Sequence, residues 1–324
     1  MNNILRIFLC LVFLGLSQAY AAEPYPSKVI SIVVPFTAGG PTDTVARLMS
    51  RAMGTALKTQ MIVENVDGAG GTIGAARVAK AAPDGYTIFL HHIGHSTAPS
   101  LYRKLPYNSI TDFEPIGLIN EVPMTLIARK DFPAKDLKEL IAYVKANKEK
   151  INLANAGLGA VSHLCGMLFQ TAIQTDLTTI PYKGTGPAMN DLLGGQVDIM
   201  CDQTTNTTSQ IKGGKVKVYG VTTRKRVASL PDVPTLNEAG LPNFEISAWH
   251  GLYAPKGTPK AVIDTLAKAL QEALKDPTVK LRFAELGTEP VEEKRATPEA
   301  LRAHLKAEID KWAPIIKKAG TYAD

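Results

Sequence analysis

Short apolar runs alternate with amphipathic segments along most of the chain, a pattern that predicts an α/β fold with largely parallel sheets. In the first third, apolar runs at residues 27–34, 61–66 and 86–91 predict strands, and segments 42–57 and 71–81 predict helices. The apolar residues of segment 42–57 share one face, as they do in a helix that covers a sheet.

A second series of alternating segments follows, and after it a helical tail. Strands are predicted at 151–155, 178–181, 196–201 and 216–222. Helices are predicted at 137–147, 162–170, 187–193, 205–212, 259–275, 277–286 and 298–318. The chain therefore contains two series of similar kind, and its length is sufficient for two domains with separate cores.

Three extended runs, at 115–120, 124–129 and 246–254, lie where the chain would pass from one unit to the other and return. They contain few glycines, which suits crossing strands that act as a hinge. We predict a two-domain architecture in which each domain is a mostly parallel sheet flanked by helices. Domain I comprises residues 22–121 and 247–324, and domain II comprises residues 122–246.

The first 21 residues have the features of a secretory signal peptide. Arg6 supplies a positive charge, residues 7–16 form an apolar run too short to span a bilayer, and residues 19–21 (Ala-Tyr-Ala) fit a cleavage site. A short membrane anchor is the alternative interpretation. We predict an exported, soluble protein that begins near Ala22.

The charge balance does not favour nucleic acid as a partner. The 36 Lys and Arg residues against 30 Asp and Glu give a formal net charge of +6, and removal of Arg6 with the signal peptide leaves +5. The basic residues are scattered instead of clustered. Cys165 and Cys201 remain after export and could pair, but two cysteines do not make a disulfide framework, so we predict two reduced, buried cysteines.

Two glycine corners, one in each predicted domain, join a strand to the start of a helix. In the first corner, Gly39 and Gly40 precede Pro41, a residue suited to the first position of a helix. In the second corner, Gly157 and Gly159 precede a predicted helix. Unpaired N–H groups at a helix N-terminus bind anions, and both corners would face one cleft. We predict an anion held between them; an ordinary tight turn is the alternative for either corner alone.

Other strand ends offer side chains that could contact the rest of a ligand. Tyr182 and Lys183 form a loop after a predicted strand, where Lys183 is a cation suited to a carboxylate, although an exposed turn explains them equally well. Asp202 directly follows the predicted strand 196–201. Trp249 could form a wall of the cleft, and core packing is the alternative.

Three further patterns imitate known motifs. The glycines of 68–74 have the spacing G-x-G-x-x-x-G, one residue longer than a dinucleotide fingerprint, so no nucleotide cofactor is predicted. The stretch 94–98 resembles a nucleophile elbow around Ser96, which makes an exported serine esterase the alternative function. His91, His92 and His95 lack a carboxylate or further ligand at useful spacing, so no metal site is predicted.

Motifs spread over the whole exported chain resemble the solute receptors of tripartite tricarboxylate transporters, the Bug receptors. These motifs are YPSK at 25–28, VPFTAGGPTD at 34–43, VENVDGAGGTIG at 63–74, APDGY at 82–86, AGLG at 156–159 with His163, PYKG at 181–184, DLLGGQVD at 191–198 and LPDVPT at 230–235. The resemblance implies a periplasmic, monomeric "Venus flytrap" protein without enzymatic activity. Such a protein delivers a small organic carboxylate to a membrane permease of one large and one small subunit. The identity of the carboxylate, and a sensing role in place of transport, stay open.

The same resemblance implies which residues bind the ligand. One carboxylate would be held between the two corners, mostly by main-chain N–H groups and waters. The first corner would contribute Phe36, Thr37, Ala38, Gly40, Pro41, Thr42 and Asp43, and the second Gly157, Gly159, Ala160, Ser162 and His163. The far end of the ligand would meet the variable positions His92, Ser96, Tyr182, Lys183, Asp202 and Trp249. Ala160 departs from the family pattern, in which many members have a hydroxyl residue.

Overall fold

The computed structural model describes residues 24–320 and 322–323, so the predicted signal peptide, residues 1–21, lies outside the described residues. The strands are β1 (Ile30–Val34), β2 (Met61–Asn65), β3 (Thr87–His92), β4 (Phe113–Arg129), β5 (Asn152–Asn155), β6 (Thr178–Pro181), β7 (Ile199–Gln203), β8 (Val216–Val221), β9 (Ser247–Pro255) and β10 (Glu289–Pro290). The helices are α1 (Pro41–Leu57), α2 (Thr72–Ala79), α3 (Gly94–Leu101), α4 (Leu137–Asn147), α5 (Val161–Ile173), α6 (Thr185–Leu193), α7 (Thr204–Lys212), α8 (Lys260–Lys275), α9 (Pro277–Glu285) and α10 (Pro298–Ala319).

Two lobes share the long strand β4. The sheet of the first lobe has the order β2-β1-β3-β9-β4, and that of the second has the order β4-β7-β5-β6, with β8 also paired to β4. The outer strands of each lobe pair in parallel, whereas β4 and β9 are antiparallel to their neighbours. In sheets of this kind ligands bind outside the carboxyl ends of the parallel strands.

Strand β4 differs from the sequence prediction, which divided it into two runs. It is continuous, pairing with β9 over its first part and with β7 and β8 from Met124 onward. Pro123 lies at this change of partners, and proline cannot donate a ladder hydrogen bond, which is why the sequence looks interrupted there. The domain bounds at 121/122 and 246/247 stay a prediction; β4 runs across the first, and β9 begins at Ser247.

The amphipathic face of α1 covers the sheet of the first lobe. Val45, Met49 and Met53 are fully buried and pack with the β1 residues Ile30 and Ile32. Removing such side chains from water stabilises the fold by about 1.5–3 kcal/mol each. Within the described residues, no helix combines the length and apolar character needed to cross a membrane.

The prediction of two reduced cysteines is wrong. Cys165 in α5 and Cys201 in β7 form a disulfide, with their Cα atoms 6.0 Å apart and both side chains fully buried. The two residues meet because α5 packs across β7, a tertiary contact that their separation of 36 residues does not reveal. The disulfide ties the helix of the second corner to a neighbouring strand.

Candidate functional site

A small, largely enclosed pocket lies between the two lobes, at the carboxyl ends of their parallel strands. The first lobe lines it with Phe36, Gly40, Pro41, Thr42 and His92. The second lobe lines it with Ala156, Val161, Ser162, Thr185, Asp202 and Gln203. The free space inside it is about 10 Å³, about enough for one water molecule, so the two lobes lie close together over the site.

The first corner, between β1 and α1, is held by charged hydrogen bonds. Gly39 has φ +80°, a conformation that favours glycine, and its N–H donates to Asp43 Oδ2 at 3.0 Å. The same carboxylate accepts from Arg47 Nε at 2.8 Å and from Asn65 Nδ2 at 3.0 Å. Burial raises the pKa of Asp43, but these three partners together outweigh it and hold the pKa below its usual value. Asp43 therefore fixes the corner, and it does not line the pocket.

The second corner, between β5 and α5, is held by uncharged hydrogen bonds. The Ala156 N–H donates to Ser162 Oγ at 2.8 Å, and the Gly157 N–H donates to Asn155 Oδ1 at 2.9 Å. Ser162, in the first turn of α5, thus reaches back to the end of β5. These two bonds fold the chain sharply from the strand into the helix.

The first turns of α1 and α5 bring backbone N–H groups to the pocket from opposite lobes. The internal bonding of α1 begins with the Thr44 N–H to the Gly40 carbonyl, and that of α5 with the Leu164 N–H to the Ala160 carbonyl. The N–H groups that precede these bonds have no acceptor within their own helix. Two helix N-termini that face one pocket form a site of positive potential for an anion.

The lobes are closed over the pocket by hydrogen bonds that cross the gap. Three such bonds join Thr97 Oγ1 to the Gly159 carbonyl at 2.9 Å, Tyr102 Oη to the Leu158 carbonyl at 3.1 Å, and the Thr37 N–H to the Lys183 carbonyl at 3.2 Å. A side chain at Gly159 would disturb this contact, because its Cβ would lie 2.7 Å from Leu101 Cδ1 of the first lobe.

Two buried histidines lie on the first-lobe side of the pocket: His92 lines it, and His250 lies behind Thr42. His92 stacks on Phe36 with 4.6 Å between ring centroids, and burial lowers the pKa of His92 to about 3. His250 Nε2 lies 3.3 Å from Thr42 Oγ1, and its Nδ1 lies 2.9 Å from Asn120 Oδ1. Burial, and then the neighbouring His92, hold the pKa of His250 well below its usual value. This wall is therefore uncharged near neutral pH.

Asp202 is the one charged side chain among the described residues that line the pocket. It lies inside β7, not after a strand ending at 201 as predicted, because pairing with β4 continues to Gln203. The side chain is fully buried, and its Oδ2 accepts from Asn206 Nδ2 at 2.6 Å. Burial raises the pKa of Asp202 to about 6, against the lowering effect of the Asn206 amide.

The pocket brings together predicted residues from both lobes. Those that line it are Phe36, Gly40, Pro41, Thr42, His92, Ser162 and Asp202. Those that shape the two corners behind it are Asp43, Gly157, Gly159, Ala160 and His163. Thr37 and Ala38 line a separate, more open groove on the outside of the first corner.

Two predicted residues lie inside the first lobe, away from the pocket. Ser96 Oγ donates to the Ile93 carbonyl at 2.6 Å and is fully buried in α3. The Trp249 indole packs against α10 and donates to Glu308 at 3.2 Å. Successive residues of a strand face opposite sides, so it is the adjacent His250 that approaches the pocket.

Tyr182 and Lys183 lie at the rim of the second lobe and do not line the pocket. The Tyr182 hydroxyl donates to Asp191 Oδ2 at 2.6 Å, and the Lys183 side chain is 74% exposed with its Nζ 3.7 Å from Asp67. Since Asp67 belongs to the first lobe, Lys183 contributes to the contact between the lobes.

Sequence reasoning missed the lining residues Ala156, Val161, Thr185 and Gln203, and also His250 beside Thr42. Ala156 and Val161 adjoin predicted residues, so the glycine corner itself was the signal for them. Gln203 was missed because β7 is longer than predicted. The signal for His250 was the alternation of side chains along β9, which places the His250 side chain on the opposite face of the strand from Trp249.

A family model for receptors of the tripartite tricarboxylate transporter family matches residues 45–321. The chain belongs to this family. The receptor is similar to the periplasmic binding protein BugD, with 57% identity and a TM-score of 0.90 over 93% of this chain and all of BugD. It is 43% identical to MatC of Rhodopseudomonas palustris with bound malate (TM-score 0.87; 90% and 100% of the two chains). It is 32% identical to another R. palustris protein, with adipate (TM-score 0.87; 92% and 99%).

These comparisons confirm the resemblance to Bug receptors and the two-domain α/β fold predicted from the sequence. The receptor captures a solute for a tripartite tricarboxylate transporter, and its family consists of periplasmic binding proteins instead of enzymes. The esterase alternative has no support, since the Ser96 hydroxyl is buried and bonded to the Ile93 carbonyl.

Proposed function

We propose that this receptor binds a small organic carboxylate of the dicarboxylate class between its lobes and catalyses no reaction. The malate of MatC and the adipate of the second R. palustris relative support this class of ligand. The observation that carries the proposal is the convergence of the first turns of α1 and α5 on one enclosed pocket. One ligand carboxylate would accept hydrogen bonds from both turns, so the ligand itself would hold the lobes together.

The energetics suit a site without a lysine or arginine in contact with the ligand. A helix N-terminus stabilises an anion by about 0.3–1 kcal/mol at a surface and up to ~2 kcal/mol when partly buried. Each backbone hydrogen bond to a charged acceptor adds about 1.5–3 kcal/mol. Several N–H groups from two helices are therefore sufficient for tight binding, and lobe closure supplies them together.

We further propose that the receptor is exported, with cleavage near Ala21, and that it is a monomer. It would deliver its ligand to a permease of one large and one small subunit. Domain I (22–121 and 247–324) and domain II (122–246) would open and close about β4 and the segment before β9. N-terminal sequencing of protein from a periplasmic fraction should begin near Ala22. Sedimentation should give one species slightly lighter than the 34.8 kDa of the full chain, because the leader has been removed.

Removal of one backbone donor tests the site directly. Val161 is the first residue of α5, and Ala160 before it has φ −63° and ψ 153°, the conformation preferred before proline. Val161→Pro should therefore keep the helix while deleting one N–H. We expect affinity for malate, measured by isothermal titration calorimetry, to fall about 10- to 100-fold, as loss of one charge-assisted hydrogen bond requires.

Two matched variants separate the lost donor from other effects. Val161→Ala removes side-chain contacts but keeps the N–H, so it should lose much less affinity than Val161→Pro. Lys260→Pro makes the same change at the exposed first residue of α8, far from the pocket, and should bind like the parent. Equal losses for Val161→Pro and Val161→Ala would contradict backbone recognition at α5. Failure of the parent to bind any member of a broad carboxylate panel would overturn the proposed function.

A further inference from the structure

A network of four buried polar side chains leads from the pocket into the first lobe. It runs from Thr42, the second residue of α1, through His250 on β9 and Asn120 on β4 to Thr288 beside β10. All four residues are at most 3% exposed. Of the four, Thr42 alone is among the residues that line the pocket, so a ligand there would meet one end of this polar network.

The direction of each hydrogen bond in the polar network follows from its far end. The Thr288 hydroxyl lies 2.5 Å from the Glu121 carbonyl, which can only accept, so the single hydrogen of the hydroxyl is used there. Thr288 Oγ1 therefore accepts from the Asn120 amide nitrogen at 3.3 Å. The oxygen of the same amide then faces His250 Nδ1 at 2.9 Å, so this ring nitrogen must carry a hydrogen and donate it.

His250 extends the same direction to Thr42. Burial and the neighbouring His92 hold the pKa of His250 well below its usual value, so its ring carries only one hydrogen. Since that hydrogen is on Nδ1, Nε2 is an acceptor. The Thr42 hydroxyl, whose oxygen lies 3.3 Å from Nε2, therefore donates to it. Each side chain thus donates to the next, and the Thr42 side chain is held in one orientation.

The polar network ties the first turn of α1 to the strand that both lobes share. Helix α1 begins with a proline, which has no N–H, so Thr42 carries the first N–H that the helix can present to an anion. Asn120 pairs with His250 across the sheet and lies shortly before Pro123, where β4 changes its partners. The position of the Thr42 N–H is therefore fixed relative to β4.

We propose that His250, Asn120 and Thr288 are positioning residues for ligand binding, which hold the Thr42 backbone N–H in place without contacting the ligand themselves. This inference rests on the proposed function, in which the first turns of α1 and α5 bind one carboxylate. A donor that is already held in its binding orientation loses little freedom when the ligand arrives. Breaking the polar network far from the pocket should therefore weaken binding.

A double-mutant cycle between the two ends of the polar network tests the proposal. Thr42→Val and Thr288→Val each remove one hydroxyl, keep the side-chain shape and leave every backbone N–H. By calorimetry we expect affinity for malate to fall about 10-fold in Thr42→Val and about 3-fold in Thr288→Val. The double variant should bind like Thr42→Val, because the connection is already broken. Losses that multiply, or an unchanged affinity in Thr288→Val, would overturn the proposal.

Two further variants serve as matched controls. Thr258→Val removes a buried hydroxyl that donates to the Pro255 carbonyl at 2.8 Å, in the same lobe but outside the polar network, and it should bind malate like the parent. Thr288→Ser keeps the hydroxyl and should recover most of the affinity. A loss in Thr258→Val equal to that in Thr288→Val would assign the effect to general loosening of the lobe, and would also overturn the proposal.

Nitrogen NMR of the ligand-free wild type gives a readout that depends neither on a variant nor on a ligand. The ring signals of His250, assigned through the backbone of β9, should show a protonated Nδ1 and an unprotonated Nε2. In Thr288→Val both tautomers should appear, because the Asn120 amide is free to turn over. A hydrogen on Nε2 in the wild type would overturn the positioning role while the proposed function stands. If the tautomer is as expected but no acid of a broad carboxylate panel binds, the proposed function itself fails.

Discussion

The corner that starts α1 and the corner that starts α5 both present backbone N–H groups to the pocket, but the chain holds the two corners in place by different chemistry. The first corner depends on the buried carboxylate of Asp43, which collects donors from Gly39, Arg47 and Asn65. The second depends on uncharged hydrogen bonds that the Ser162 and Asn155 side chains accept from backbone N–H groups, and on the disulfide between α5 and β7.

The difference shows that recognition by main-chain donors requires a particular backbone geometry at each corner but does not require particular side chains there. An N–H group has the same chemistry in every residue except proline, so the surrounding sequence is free to fix it by an ion pair, a hydroxyl or a covalent bond. The two scaffolds should nevertheless fail under different conditions. Loss of charge should loosen the first corner, and reduction should loosen the second.

Removal of the disulfide should have the largest effect. The double variant Cys165→Ala with Cys201→Ala should lose about 3–4 kcal/mol of unfolding free energy, because the cross-link no longer restricts the unfolded chain. Urea denaturation followed by circular dichroism measures this loss. Hydrogen exchange should accelerate in α5 and β7 and stay unchanged in α1.

The wild type in reductant provides the matched control, since it should approach the stability of the double variant, and the variant should not respond to reductant. If the double variant were within about 1 kcal/mol of the wild type in unfolding free energy, the disulfide would not be what holds the second corner in place. Equal acceleration of exchange in α1 and α5 would show that the corners are not held independently.

The local features of this site were readable in the sequence, and the tertiary ones were not. The helix starts at Pro41 and near Ser162 follow from glycine corners, and the alternating segments gave the α/β fold. The pairing of Cys165 with Cys201 depends on how α5 crosses β7, which no local pattern records.

Strand pairing explains the remaining differences. The sequence predicted a strand that ends at residue 201, with Asp202 after it. Pairing with β4 extends β7 by two residues, so Asp202 lies inside the strand. Trp249 was expected at the cleft, whereas the register of β9 places His250 there. An aromatic residue at a strand end suggests contact with a ligand, but which face it occupies is set by the neighbouring strands.

Loss of charge at the first corner should have the next largest effect. Asp43→Ala leaves the Gly39 N–H and the Asn65 amide without their acceptor, so we expect a loss of about 2–3 kcal/mol in unfolding free energy. The ion pair itself adds little, because Arg47 is half exposed. Urea denaturation at pH 7 measures the loss, and hydrogen exchange should now accelerate at the start of α1.

The pH dependence of this effect identifies its cause. The pKa of Asp43 is lower in the folded protein than in the unfolded chain, so its charge stabilises the fold above about pH 4 and the contribution fades as pH falls through the folded value. The deficit of Asp43→Ala should therefore shrink towards pH 3. Asp43→Asn keeps the size and one acceptor and should lose less than Asp43→Ala. A deficit independent of pH would assign the effect to packing, and the first corner would not be electrostatic.

Substitution of Ser162 should have the smallest effect. It separates the contribution of the hydrogen bonds at the second corner from that of the disulfide. Ser162→Ala removes the acceptor of the Ala156 N–H, a buried bond of 2.8 Å, and should cost about 1 kcal/mol of unfolding free energy. The backbone donors of α5 remain, so affinity for a dicarboxylate should fall only as far as the corner loosens, by about 3- to 10-fold in calorimetry. Ser162→Thr keeps the hydroxyl and should recover most of the stability. A loss of affinity as large as that of Val161→Pro would mean that the Ser162 hydroxyl itself binds the ligand, and the second corner would then recognise its anion through a side chain.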